Sequence, residues 1–520
     1  MFRLIDDLGD HIRTIERLII EKERSGIKAE ASLHRWWSKR FVFLYRGILA
    51  SFLLSDRGDF ERALLDPSSL DAQGRVYFEP LAGGGTGLVE ASLYNYKAYG
   101  MDVNPLAVKI MEGYSVLRSQ VDFDRIISVI QDVKKELSPI WTYKGREVSY
   151  VLITRGRAPT WVMTKRVNNV TKRVVLCPHC GNVFETESSG EARCPHCGNL
   201  VEVTVKPVYE PKRFVDYSGW KAYGMILSYA RGSKEFAFDE EWLKEREERL
   251  EEVELEMDVE IGEIREGARL LRAGIDRPRK LFTKAQLVTF RRLAEKSRAL
   301  SHQERLLLML AASDSVKTCS VLSRWYPPLN EPVLFAGGIK GYWVPEHTAE
   351  TNPLAEHARG TLFSELRNQR RIKRFKLRGE IRASQGDALT EEFPKSDLIV
   401  IDPPYYKLSP SYTSLSYPHV AIANLFGRMN LRGALEKEID GDDYFEKLLV
   451  ILKKSGDALR EDGRIVLIIN MKAEWERLYE VIERAKLQVV NEYQVLGESP
   501  GLLGRSNSRS NRIMVVSRRS

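Results

Sequence analysis

Apolar residues recur at helical spacing at the start of the chain, at Leu4, Leu8, Ile12, Ile15 and Ile19, and predict an amphipathic helix within residues 1–24. A denser apolar stretch over 41–54, interrupted by Arg46, predicts a second helix. Its 14 positions fall short of the roughly 20 that cross a bilayer, so no membrane span is expected. The pattern then changes period. A short apolar run at 76–79 ends in a glycine-rich turn, a helical stretch covers 87–95, and a second short run lies at 98–101, which together read as the opening of a β-α-β unit.

The same grammar returns some 260 residues later. A buried strand is expected at 398–401, a helix at 444–459, a strand at 464–469, a helix at 474–485, and a final strand pair at 489–495 and 512–516. One α/β domain, split into residues 1–119 and 378–520, is therefore expected to carry a large insert at 120–377. Within the insert a helical stretch is expected over 283–312. An acidic run precedes it, where 240–250 favours helix and Val253, Leu255, Met257, Val259 and Ile261 then alternate with acids at a strand period.

Length and composition sharpen this picture. A chain of 520 residues, 43% hydrophobic and 29% charged, is too long for one simple core and too apolar to be disordered. The start, MFRLIDDLGDHIR, puts acids where a secretory signal needs an apolar run, so a cytoplasmic location is expected. The net charge of +8 is unevenly spread. Residues 239–266 hold 14 acids and 4 bases, so the rest of the chain is more basic than the total suggests. Residues 367–382, RNQRRIKRFKLRGEIR, contain eight Lys/Arg and one Glu, which fits either a solvated helix face or a patch for a polyanion.

The candidate chemistry sits at the ends of the expected strands. Asp402-Pro403-Pro404-Tyr405 follows the strand Leu398-Ile399-Val400-Ile401, at the carboxyl edge where open α/β sheets bind ligands. A nucleobase amino group is a poor nucleophile because its lone pair is delocalised into the ring. An acceptor carboxylate (Asp402) and a backbone carbonyl (Pro403) can bind its two N–H bonds and aim the lone pair at a methyl donor. Pro404 stiffens the loop, and Tyr405 offers a face for stacking an extruded base. The segment Phe78-Glu79-Pro80-Leu81-Ala82-Gly83-Gly84-Gly85-Thr86-Gly87 lets a ligand approach the backbone at a helix amino terminus. Asp102, in Gly100-Met101-Asp102-Val103-Asn104-Pro105, is placed to take ribose hydroxyls, and Gly386-Asp387-Ala388 is placed to meet an adenine.

FEPLAGGGTG, GMDVNP, GDA and DPPY in this order resemble the S-adenosylmethionine-dependent amino-methyltransferases. HRWWSKR at 34–40, together with a zinc-binding insert, resembles the adenine-specific DNA methylases that contain a zinc ribbon. The resemblance implies a Rossmann-like seven-stranded methyltransferase sheet interrupted by a large insert, S-adenosyl-L-methionine as donor, and adenine N6 in DNA as acceptor, with the target base flipped. Carried over to this chain, Glu79, Pro80, Gly83, Gly85, Thr86, Asp102, Asn104, Asp387 and Ala388 would hold the donor. Gly83, Gly85 and Thr86 would lie at its amino-acid end, Asp102 at its ribose and Asp387 at its adenine. Asp402, Pro403, Pro404 and Tyr405 would be catalytic, and target recognition would fall to the insert.

Cys177, Cys180, Cys194 and Cys197 form two CPHCG knuckles separated by 13 residues, the spacing of a closed four-thiolate structural zinc site, here a ribbon at about 174–203. The adjacent His179 and His196 are expected at the surface, and Cys319 as a small buried side chain. The 34–40 segment could cover the methionine end of the donor, meet phosphates, or pack its tryptophans in a core. The loop 406–412 could close over a base, and Ser323-Arg324-Trp325-Tyr326-Pro327-Pro328 offers further stacking candidates. Two other functions remain open on the sequence: methylation of an RNA base, and a zinc-ribbon nucleic-acid-binding subunit whose methyltransferase domain is inactive.

Overall fold

Seven strands form the central sheet of the chain: β1 (Val76–Glu79), β2 (Lys97–Asp102), β3 (Ile381–Gln385), β4 (Ser396–Ile401), β5 (Leu459–Ile469), β6 (Leu487–Leu496) and β7 (Ser510–Arg518). Their spatial order is β3-β2-β1-β4-β5-β7-β6. The pairs among β1 to β5 are parallel, and β7 runs antiparallel between β5 and β6. This is the Rossmann-like seven-stranded arrangement of the methyltransferase fold. The central strand β4 and the second half of β5 are near-continuous apolar runs because helices cover both faces: Leu398, Ile399, Val400 and Ile401 are all buried, as are Ile465 to Ile469.

The structure is a computed structural model and describes residues 3–9, 11–24, 32–37, 40–55, 58–228, 233–333, 341–406, 411–439, 441–470, 474–496 and 510–519. It divides into two compact units. The first comprises Met1–Val121, Asn368–Ser416 and Met429–Ser520 and contains the seven-stranded sheet; the second comprises Asp122–Arg367 and Tyr417–Arg428. No described helix is long and apolar enough to cross a membrane.

In the first unit the register sets the site. Glu79 lies opposite Gly100, Asp102 opposite Gln385, and Ile401 opposite Leu467, so the strand ends that carry the motifs share one edge. Strand order reverses between β1 and β4, and the crevice opens there. Beneath it Phe78, Ile399, Ile401, Leu448, Leu452 and Leu467 belong to one buried core.

The amino-terminal amphipathic pattern is not one helix. It forms a 3-10 turn (Leu4–Asp7), a helix (His11–Leu18) and a π-helical end (Ile19–Arg24), because Gly9 at φ +46 breaks the run. Asp6 is held there by Arg464 of β5, whose Nε and Nη2 each donate to one of its carboxylate oxygens at 2.8 Å.

The second unit is built on an antiparallel sheet whose path is Val215–Tyr217, Trp220–Ser228, Arg146–Thr154 and His347–Thr351, with Lys234–Ala237 and Thr142–Tyr143 paired beside it. The expected helix at 283–312 is two helices, Lys284–Lys296 and His302–Ser315, each opened by a capping box. The alternating acidic run is not a strand. It is irregular until the 3-10 turn Ile261–Glu263, and it buries Val253, Leu255 and Val259 without pairing to any strand among the described residues. Trp325 is fully buried, its indole N–H donating to the Val162 carbonyl at 2.8 Å, so it is a core residue and not a stacking surface.

Candidate active site

At the carboxyl edge of β1 the chain enters a tight turn in which Gly83 (φ +51) and Gly85 (φ +74) adopt left-handed conformations open to few other residues. The helix Thr86–Leu93 then starts directly above Glu79. A side chain at Gly87 would place its Cβ 1.7 Å from the Glu79 carboxylate, so glycine is required there. Glu79 itself is buried and accepts a hydrogen bond from the Tyr77 hydroxyl. Burial pushes its carboxyl up to about 8; the Tyr77 bond opposes this and the Asp402 charge adds to it.

Asp102, at the end of β2, closes the turn from the other side. Its Oδ2 accepts from the Gly83 amide and its Oδ1 from the Asn104 amide, both at 2.8 Å. Burial raises its carboxyl to about 6 despite those two bonds. Asn104 caps the next helix, Pro105–Leu117, by accepting from the Leu106 amide at 2.9 Å, and its own amide donates to the Ser416 hydroxyl at 3.1 Å.

These strand ends surround a cavity of about 130 Å³. Of the expected donor-binding residues, Pro80, Gly83, Thr86, Asp102, Asn104, Asp387 and Ala388 line it, while Glu79 and Gly85 stand behind its wall. Gly85 backs onto Met111, where a Cβ would come within 2.8 Å. Asp402, Pro403 and Pro404 line the same cavity. Tyr405 does not; its side chain is buried.

Three contributions go beyond the roles read from the sequence. The first is Arg40, which follows the tryptophan pair. Its Nη2 donates to Asp402 Oδ1 at 2.6 Å and its Nε to Oδ2 at 2.8 Å, a two-pronged ion pair. Its Nη1 donates to the Tyr405 hydroxyl at 3.0 Å and to Asn511 Oδ1 at 3.2 Å. The second is Glu438, which lines the cavity and accepts from the Ser411 hydroxyl at 2.6 Å and the Thr413 amide at 2.8 Å. The third is the pair Asn470 and Asn511, bonded at 3.1 Å where β5 and β7 meet, which supports Arg40 from behind.

Trp36 and Trp37 line the cavity edge to face, with ring centroids 5.5 Å apart, and Trp36 covers the glycine turn so closely that a Cβ on Gly83 would lie 2.6 Å from its indole nitrogen. Ser38 and Lys39 of this segment, and residues 407–410 of the expected loop, lie outside the described residues; Ser411 and Tyr412 line the cavity.

In the second unit the two CPHCG knuckles repeat one geometry. Gly181 and Gly198, both at φ +74, donate to the Cys177 and Cys194 carbonyls at 2.9 Å. The four sulfur atoms lie within 4.8 Å of one another, with Cys177–Cys197 at 3.7 Å and Cys180–Cys194 at 3.8 Å. A tetrahedron with metal–sulfur bonds of about 2.3 Å has edges of about 3.8 Å, so the cluster fits a metal ion bound by four thiolates. His179 and His196 are exposed beside it, and Cys319 is fully buried elsewhere in the unit.

No family model and no curated protein matches the chain. Among solved structures it is similar to a ribosomal protein L11 methylase from Lactobacillus delbrueckii subsp. bulgaricus, with 13% identity over 30% of this chain and 54% of that one and a TM-score of 0.17. It is also similar to the M1A22 tRNA methyltransferase TrmK of B. subtilis (12% identity, 31% and 46% of the two chains, TM-score 0.16). A third is TrmN from Thermus thermophilus (17% identity, 30% and 33%, TM-score 0.16). The chain spans about half or less of the length of each. The fold assignment rests on the strand order of this chain itself.

Proposed function

We propose that this protein transfers a methyl group from S-adenosyl-L-methionine to an exocyclic amino group of a nucleobase, adenine N6 in DNA. The observation that carries the reading is the gathering of the glycine turn, Asp102, Asp387 and Asp402-Pro403-Pro404 around one cavity at the point where strand order reverses. The cavity wall holds four carboxylates, Asp102, Asp387, Asp402 and Glu438, against two cations, Arg40 and Lys437. Arg40 is already paired with Asp402. Such a wall suits a ligand that brings hydroxyl groups and positive charge, as the ribose and sulfonium of the donor do.

S-adenosylmethionine supplies an electrophilic methyl group, and everything else falls to the chain. Asp102 and the Gly83 turn hold the ribose and amino-acid ends, Asp387 the adenine, and Trp36 closes over the turn. A carboxylate has about four lone-pair sites and Arg40 takes two, so Asp402 keeps one on each oxygen for the target N–H. The Pro403 carbonyl takes the other N–H. As the amino nitrogen takes the methyl group, the donor leaves as S-adenosylhomocysteine, the fixed Asp402 charge stabilises the positive nitrogen without reorganising, and its extra proton passes by way of Asp402 to solvent. Tyr405 acts through Arg40, and Tyr412 is the aromatic ring placed to meet the base. The four cysteines hold a structural zinc, outside the chemistry.

A second reading, an inactive domain in a nucleic-acid-binding subunit, is favoured by one observation: both Asp402 oxygens are engaged by a buried arginine. Transfer of labelled methyl groups to matched duplex DNA, single-stranded DNA and RNA separates the readings. Label in duplex DNA supports the proposal, label in RNA alone moves the substrate, and no label in any of them supports the inactive domain.

A further inference from the structure

In the second unit the strands Trp161–Val167 and Val170–Leu176 form a hairpin with the near-palindromic sequence Thr164-Lys165-Arg166-Val167-Asn168-Asn169-Val170-Thr171-Lys172-Arg173. Asn168 and Asn169 turn the chain at φ +49 and +64, the double left-handed turn that continues a twisted two-stranded ribbon. The third strand, Val183–Thr186, pairs only with Arg173 to Leu176, so the tip runs on as two strands. It is anchored where the projection begins: the Asn330 side chain accepts from the Thr164 amide at 2.7 Å and donates to its carbonyl at 2.6 Å.

The charges on this ribbon are unfavourable for folding alone. Lys165 stands directly opposite Lys172, a like-charge pair that destabilises a hairpin. Arg166 and Arg173 occupy the other face, and no Asp or Glu occurs between residues 148 and 184. Lys165 is answered by Glu185 at 2.8 Å and Arg173 donates to the Glu187 carbonyl at 2.5 Å, but among the described residues the side chains of Arg166 and Lys172 have no ion-pair or hydrogen-bond partner. Cations that merely guard a sheet edge need not oppose one another or occupy both faces. Val167 and Val170, 42% and 39% exposed, add apolar surface at the tip.

We propose that this hairpin is a DNA-binding β-ribbon that enters the major groove, with Arg166 and Lys172 on phosphates and the Val-Asn-Asn-Val tip at base edges. Strands about 4.8 Å apart with their side chains match a B-form major groove about 12 Å wide. The deep, narrow major groove of A-form RNA does not admit such an element. The inference rests on the nucleic-acid reading above and favours duplex DNA within it.

The test is binding of the full-length protein to a fluorescent duplex DNA and to a duplex RNA of the same sequence, over a series of salt concentrations. Wild type and Arg166→Gln/Lys172→Gln are compared, with metal content and circular dichroism confirming that both are folded. The double variant is expected to bind DNA at least about tenfold more weakly near 0.15 M salt, with the slope of log K against log salt reduced by about 2, one for each lost phosphate contact. An unchanged slope and affinity overturns the ribbon while leaving the nucleic-acid reading in place. Tighter binding of duplex RNA than DNA overturns the groove assignment. Wild type that binds neither overturns the nucleic-acid reading itself, and the ribbon with it.

Discussion

Arg40 and Asp402, 362 residues apart in the chain, are joined by two hydrogen bonds of 2.6 and 2.8 Å. The pair fixes the rotation of the carboxylate on which the proposed chemistry depends, and the same guanidinium reaches Tyr405 and Asn511. Arginine supplies a planar fork that lysine cannot copy. Arg40→Lys should therefore leave donor affinity within about twofold and lower kcat by about 10²-fold, as for an ångström-scale misplacement of a catalytic group. Arg40→Ala leaves a largely buried carboxylate uncompensated and should also lower the melting temperature. Equal losses of donor affinity and turnover in Arg40→Lys would show that the arginine only supports the fold.

Asp102 offers a pH test of the donor pocket. Its carboxyl is raised to about 6 by burial, so it ionises within the range where the protein can be handled. An ionised carboxylate accepts ribose hydroxyls more strongly than a neutral one. Calorimetric binding of S-adenosylhomocysteine should tighten between about pH 5 and about pH 7 as Asp102 loses its proton. Asp102→Asn should bind more weakly and lose that pH dependence.

Glu79 makes a prediction about stability. The folded chain prefers it neutral, with its carboxyl at about 8 against an ordinary 4.5, so between those values the folded protein keeps a proton that the unfolded chain has released. Its contribution to stability is complete below about pH 4.5 and is lost as pH rises towards about 8. Melting temperature should fall across this window in the wild type and fall less steeply in Glu79→Gln, which keeps the neutral form at every pH.

For the metal, elemental analysis should find one zinc ion per chain, and Cys177→Ser or Cys194→Ser should lose it. Because the small core around Val175, Phe184, Val201 and Val203 is built on two of the ligands, chelation should unfold the ribbon. Donor binding to the first unit should survive chelation.

What the sequence made legible was local. The glycine turn, Asp102, Asp387 and Asp402 each follow a strand within a few residues, so periodicity and turn chemistry placed them at one sheet edge. Arg40 and Glu438 could not be read in this way. Arg40 comes from a segment ahead of the first strand, and Glu438 stands in a charged run, Glu436-Lys437-Glu438, with no local mark of its role. Strand β3 escaped because it lies at the sheet edge with only Ile381 buried, so Ile-Arg-Ala-Ser-Gln carries no apolar run. Tyr405 was legible as part of a motif but not in its placement: the ring is turned into the protein under Arg40, 5.2 Å from the guanidinium carbon.

The central claim is that Asp402 directs a donor methyl group onto adenine N6 of DNA. Its most direct test is mass spectrometry of nucleosides from duplex DNA incubated with the protein and donor carrying a deuterated methyl group. Wild type should yield deuterated N6-methyladenine, and Asp402→Ala should yield at least about 10²-fold less while binding the donor as before. Label on another base or in no nucleoside, or an Asp402→Ala protein as active as wild type, would contradict the account.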